Sequence, residues 1–154
     1  MKPWLIMIIA FSVAACSPAP VGSSASAAED AAVTAVVQEF GGRLKNVSLL
    51  APDAAQQIEA QYGQFTAADL LAVWMADPLQ APGRLTSSPW PDRIEIEAIN
   101  LNDAGSYLVI GRVIEITSAE VGTDNTVASY AVSLTLAKSE DRWLIIEYRI
   151  IEGS

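Results

Sequence analysis

The repeat of apolar residues changes part-way along this 154-residue chain, and no other feature limits its fold as much. Up to Asp77 the apolar residues recur at helical spacing. From Arg93 onward they alternate. A period of 3.6 buries one stripe of a helix, whereas a period of 2 buries one face of a strand. Helices therefore come first and strands second, the order of an α+β domain.

Three helices are predicted. Between Asp30 and Asn46, the residues Val33, Val36, Val37, Phe40 and Leu44 form one stripe. Gly41-Gly42 interrupts it. Two glycines inside a helix cost about 1 kcal/mol each relative to alanine. They either kink the helix or let another element approach closely. The second helix runs from Pro52 to Tyr62, with Gly63 just past its end. The third starts at Thr66 as N-cap, carries Leu70, Leu71, Trp74 and Met75, and stops at Asp77-Pro78. Trp74 and Met75 read as core.

Four strands follow the loop Ala81–Pro91. They are Arg93 to Ile99, Tyr107 to Thr117, Thr126 to Lys138 and Arg142 to Glu152. Turn residues at Asn102 to Gly105, Glu120 to Asn125 and Ser139 to Asp141 separate them. The alternation assigns Leu108, Ile110, Ile114 and Ile116 to one interior face. It adds Ala128, Tyr130, Val132, Leu134 and Leu136 from the next strand, and Leu144, Ile146, Tyr148 and Ile150 from the last. Glu115, Glu147 and Arg149 fall on the opposite face, as exposed cross-strand pairs. Trp143 is expected at the sheet edge. The result is a curved antiparallel sheet covered on one side.

The first residues carry an address. Lys2 precedes the apolar run Trp4 to Val13, and Val13-Ala14-Ala15-Cys16 follows. About ten residues make a helix of roughly 15 Å, half of what a bilayer core requires. Residues 1–15 therefore read as a removable signal peptide. Val13-Ala14-Ala15-Cys16 resembles the lipobox of bacterial lipoproteins. That resemblance implies diacylglycerol on the Cys16 thiol, cleavage before it, and an extracytoplasmic protein anchored to a bacterial membrane. Two or more acyl chains give stable anchoring where one does not. Cys16 is the only cysteine, so an exported chain has no partner for it, and lipidation accounts for that. Residues 16–29 are small, polar and Pro/Gly-containing, and read as the lipidated cysteine and a flexible tether. Residues 30–154 are the domain.

Composition removes several function classes. The chain has 9 Lys plus Arg against 18 Asp plus Glu, for a net charge of −9. Nucleic acid needs a basic patch, so it is not an expected partner. There is no histidine, which removes Ser-His-Asp and Cys-His catalysis. Without histidine or a free thiol, ordinary zinc and copper sites are also not expected. No GxGxxG or Walker pattern occurs. Neither a cofactor nor a metal is expected.

Helices first, then long strands ending in Asp141-Arg-Trp-Leu-Ile-Ile-Glu-Tyr148, resembles the NTF2-like superfamily over about residues 30–152. The resemblance implies a cone in which a bent four-stranded sheet wraps a long first helix, with room for a pocket between them. The segment Ala81 to Arg93 is also similar to small bacterial envelope lipoproteins of unassigned function.

Candidate binding residues come from two places. The loop holds Arg84, Ser87, Ser88, Trp90, Asp92 and Arg93. Guanidiniums grip carboxylates or phosphates, and an indole offers a flat face. The same residues could instead be structural, with Trp90 plugging the cone, Arg84 paired with Asp92 or with carbonyls, and the serines satisfying turn amides. The second place is Arg112, a charge on the Leu108/Ile110 face. There it either lines a cavity with Tyr130 and Tyr148 or lies at the edge beside core tyrosines. No catalytic residue is assigned. An isomerase- or hydrolase-like enzyme needs an acid and a base in the pocket, and no carboxylate falls on the assigned interior faces. A non-catalytic module that binds a small ligand or an envelope protein is the first expectation. A homodimer through the outer sheet face is a further possibility of the fold.

Overall fold

The computed structural model describes residues 22–151. The expected leader, Cys16 and the first part of the tether lie outside them, as do residues 152–154. Helix α1 spans Gly22–Arg43, so residues 22–29 of the expected tether are helical in backbone. The segment reads Gly-Ser-Ser-Ala-Ser-Ala-Ala-Glu, and alanine is the best helix former. The core contacts of this helix lie further along.

Those contacts begin at Val33. Val33, Val37, Phe40 and Leu44 are wholly buried, while Val36 is only partly so. Leu44 sits in a short 3-10 turn, Leu44–Asn46, that continues α1. The glycine pair does not break the helix. Instead, Gly41 lies against the first strand so closely that a Cβ there would stand 2.7 Å from the Ile94 backbone nitrogen.

Helices α2 (Ala54–Tyr62) and α3 (Ala68–Ala76) add Ile58, Tyr62 and Trp74 to the core. Thr66 does not cap α3. The N-cap is Ala67, and the Thr66 hydroxyl donates to the Tyr62 carbonyl. Residues 65–67 are used differently. The Ile145 amide donates to the Phe65 carbonyl at 2.8 Å, and the Ala67 amide donates to the Ile145 carbonyl at 2.9 Å. The segment thereby covers part of the free edge of the last strand, where unpaired backbone groups would otherwise be left.

Strands β1 (Trp90–Leu101), β2 (Tyr107–Ile116), β3 (Ala128–Ser139) and β4 (Arg142–Ile151) pair antiparallel in the order β1-β2-β3-β4. The architecture is α+β, with three helices packed on a four-stranded open sheet. Phe40 is central to the layer between them. Its ring lies 5.0 Å from Tyr62, and 6.2 Å from each of Phe65, Trp74 and Tyr148, centroid to centroid. Burying a side chain of this size contributes about 1.5–3 kcal/mol. Met75 packs against this core, partly buried.

Two expected faces are corrected. In β2 the interior residues are Tyr107, Val109 and Val113, each no more than 1% exposed, with Gly111 between them. Leu108 is 38% exposed, and Ile110 and Arg112 lie on the outer side. A shift of one residue flips every side chain of a strand. β2 is apolar at both parities, so alternation could not choose between them. Gly111 decides for the inner face. A Cβ there would stand 2.6 Å from the Glu95 carbonyl oxygen and 3.2 Å from Ile94 Cγ2. Ile114 and Ile116 are nonetheless buried on the outer side, where their cross-strand neighbours are Arg93 and Trp90.

In β4, Trp143 and Ile145 are the buried pair, not Leu144 and Ile146. Trp143 is 7% exposed and belongs to the core, its ring set edge-on to Tyr107 at 5.0 Å. The register then slips. Leu136 pairs with Ile145 and Thr135 with Glu147, which leaves Ile146 unpaired. Such a bulge reverses the phase of the strand and brings Tyr148 back inside, opposite Leu134.

Candidate binding pocket

The segment from Leu79 to Pro91 crosses the end of the sheet and roofs a pocket of about 390 Å³. Its backbone is fixed from below. Tyr62 Oη donates to the Pro82 carbonyl at 2.7 Å. The Arg84 amide donates to the Val47 carbonyl at 2.8 Å, and the Leu49 amide donates to the Arg84 carbonyl at 2.9 Å. Between them, Gly83 allows the chain to lie flat, since a Cβ there would stand 2.9 Å from Leu49 Cδ2 and 3.0 Å from the Val47 oxygen. Three attachments in three residues make Arg84 a held group, not one on a loose loop.

The pocket wall is mostly apolar. Leu49, Leu79, Leu85, Pro82, Pro89, Pro91 and Ile150 contribute to it. Its polar groups are Arg84 and Thr86 from the segment, and Glu115 and Tyr130 from the sheet. The Arg84 Nε is buried and has no hydrogen-bond acceptor among the described residues. Burial and then the Glu115 charge push the Tyr130 hydroxyl up to about 12, so it is neutral and can donate. Tyr148 lies deeper, against Phe40 and Trp74. Burial raises its pKa well above the ordinary value, the Tyr130 hydroxyl adds to this, and its Oη has no partner at hydrogen-bonding geometry.

Of the expected site residues, only Arg84 and Tyr130 reach this pocket. Ser87 and Ser88 are exposed outside it; the Ser88–Pro89 peptide is cis. Trp90 opens β1 opposite Ile116 and neither lines the pocket nor plugs it. Asp92 pairs with Lys45 at 3.2 Å and with Arg93 at 3.4 Å, not with Arg84. Arg93 also holds Glu95 at 2.6 Å. Arg112 is on the outer face, its guanidinium on Ser129 Oγ at 2.8 and 3.2 Å, so it shares no cavity with Tyr130 and Tyr148. Glu147 and Arg149 lie on the outer face as expected, but they pair with each other along β4 and not across strands.

Glu115 was missed for the same reason that Arg112 was misplaced. Reading Tyr107, Val109 and Val113 as the inner face of β2 would have put Glu115 at its end, beside the pocket. Ile150 stood on the interior face that alternation assigned, whereas Leu49 carried no local signal, because it reaches the pocket only through the tertiary fold.

Among the described residues, no group of three or more His, Cys, Asp or Glu side chains is placed to hold a metal. No helix among them is long and apolar enough to cross a membrane. No family model matches the chain, and no curated protein matches it. Among solved structures, the chain is similar to the intermembrane space region of the chloroplast protein ARC6. Identity is 16%, the match covers 84% of this chain and 97% of that one, and the TM-score is 0.43.

Proposed function

We propose that this chain is an extracytoplasmic lipoprotein, anchored to a bacterial membrane through diacylglycerol on Cys16. Its NTF2-like domain is a non-catalytic module that binds a small ligand. The Val13-Ala14-Ala15-Cys16 run supports the anchor. The order of helices and strands, with α1 laid along the sheet, supports the NTF2-like reading. The observation that carries binding is the end pocket, built around an Arg84 guanidinium with a buried, unpartnered Nε.

Two experiments test it. Cells expressing the chain are fed a labelled fatty acid. The wild type takes up label and Cys16→Ser does not; an unlabelled wild type overturns the anchor. Native mass spectrometry then compares the envelope-purified protein with Thr86→Trp, which fills the pocket. A small molecule carried by the wild type and lost in the variant supports binding there. The same molecule on both proteins overturns it.

One observation favours the second reading, an isomerase- or hydrolase-like enzyme in the same pocket. Glu115 is a carboxylate on the inner side of β2, near a neutral tyrosine hydroxyl, as a base and an acid would be. That reading expects deuterium uptake α to the carbonyl of a cyclic ketone, abolished by Glu115→Gln. No uptake above the buffer rate removes the isomerase form of it.

A further inference from the structure

The charged groups of the end pocket are one cation, Arg84, and one carboxylate, Glu115. Neither takes part in an ion pair among the described residues. Arg43, Arg112 and Arg142 also lack an ion pair, so the missing partner alone does not single Arg84 out. What does is its Nε, the one arginine nitrogen among the described residues that is buried without an acceptor. A buried N–H without an acceptor is destabilising, and more so when the group is charged. An acceptor that arrives with a ligand removes that cost.

The rest of the wall states what the ligand carries besides the acceptor. Leu79, Leu85 and Ile150 all line the pocket, and they remain 62%, 59% and 59% exposed. Large apolar side chains left in water around a concave site are surface that a ligand covers. They form an apolar rim beside the cation.

We infer, building on the reading of this pocket as a ligand site, that it takes a monoanionic amphiphile of the fatty-acid type. The carboxylate meets the Arg84 fork, a pairing that planar geometry favours. The hydrocarbon covers Leu79, Leu85 and Ile150. Glu115, which lines the same pocket, limits the head group to one negative charge, because a dianion would meet a like charge there. A volume of about 390 Å³ suits a single chain of medium length.

The test uses the full chain carrying Cys16→Ser, so that no attached lipid competes. Calorimetry measures decanoate, decanol, decyl phosphate and decyltrimethylammonium, each below its micelle concentration. Decanoate is expected to bind at least about tenfold more tightly than the other three. Each added methylene should tighten binding by about fourfold until the pocket is full. Arg84→Gln should reduce decanoate to the level of decanol, and Glu115→Gln should improve decyl phosphate. Arg84→Lys, which keeps the charge and loses the fork, should fall between wild type and Arg84→Gln, and it serves if Arg84→Gln does not fold. Decanol binding as tightly as decanoate, or decanoate indifferent to both Arg84 variants, overturns the ligand class. Those outcomes leave the pocket itself standing as long as Thr86→Trp weakens whatever binds. Binding unchanged by Thr86→Trp overturns the pocket instead. If none of the four probes binds, the amphiphile is excluded, and the co-purified molecule decides the pocket.

Discussion

Gly41 of α1 and Ile94 of β1 touch backbone to backbone: a Cβ on Gly41 would stand 2.7 Å from the Ile94 nitrogen and 3.0 Å from its Cγ1. The first helix can lie this deep in the sheet only because position 41 has no side chain. Gly41→Ala should therefore force the two layers apart and lower stability by about 1–3 kcal/mol. Gly42 is the internal control. Nothing lies within 4 Å of a Cβ at that position. Gly42→Ala should stabilise the helix by about 0.5–1 kcal/mol. Urea denaturation of the two variants checks both signs, and equal effects would show that the close approach is not what α1 needs.

Tyr62 links the core to the pocket. It is fully buried, and its hydroxyl donates to the Pro82 carbonyl at 2.7 Å. Tyr62→Phe keeps the ring and removes the donor. The Pro82 carbonyl is then left without this partner, at a cost of about 1–3 kcal/mol. The variant should also loosen residues 82–84, seen as faster amide exchange at Arg84 with α1 unchanged. Exchange that rises equally throughout would mean global destabilisation only.

The change of hydrophobic period was enough to read the order of elements, and Val33, Val37, Phe40 and Trp74 were legible as core from spacing alone. β3 was legible because its parities differ in polarity, with Val132, Leu134 and Leu136 against Ser133 and Thr135. β2 was not, because both its parities are apolar. β4 was not, because the bulge at Ile146 reverses its phase, and a bulge leaves no mark in composition. The pocket shared this limit. Arg84 stood out as a charge in a proline-rich loop, whereas Glu115 depended on the parity of β2.

Stability should fall on the alkaline side more steeply than for a protein with exposed tyrosines. Tyr107 is pushed up to about 12, chiefly by its hydrogen bond to Asp30, whose carboxylate accepts at 2.7 Å, and also by burial. Burial raises Tyr62, Tyr130 and Tyr148 as well. A pKa raised above the unfolded value near 10 gives stability that is whole below pH 10 and lost as pH rises toward 12. Each such tyrosine adds a slope of up to about 1.4 kcal/mol per pH unit. Tyr107→Phe should remove one of these slopes while leaving the neutral-pH fold intact. Urea midpoints measured from neutral to alkaline pH check this; a wild-type profile flat through pH 10–12 contradicts it.

Arg112 and Glu115 are three residues apart in β2 and on opposite faces, so their variants separate the two sides of the sheet. Arg112 is tied to Ser129 on the outer side. Arg112→Ala should cost less than about 1 kcal/mol, the scale of a half-exposed hydrogen bond, and leave the tyrosine titration unchanged. Glu115 acts on Tyr130 by charge. Glu115→Gln should lower the Tyr130 pKa, because the tyrosinate then forms without a neighbouring negative charge. Tyrosinate absorbance during an alkaline titration reads both variants at once, with Tyr130→Phe identifying the transition that belongs to that residue. A shift in Arg112→Ala and none in Glu115→Gln would reverse the two faces of β2 and remove Glu115 from the pocket.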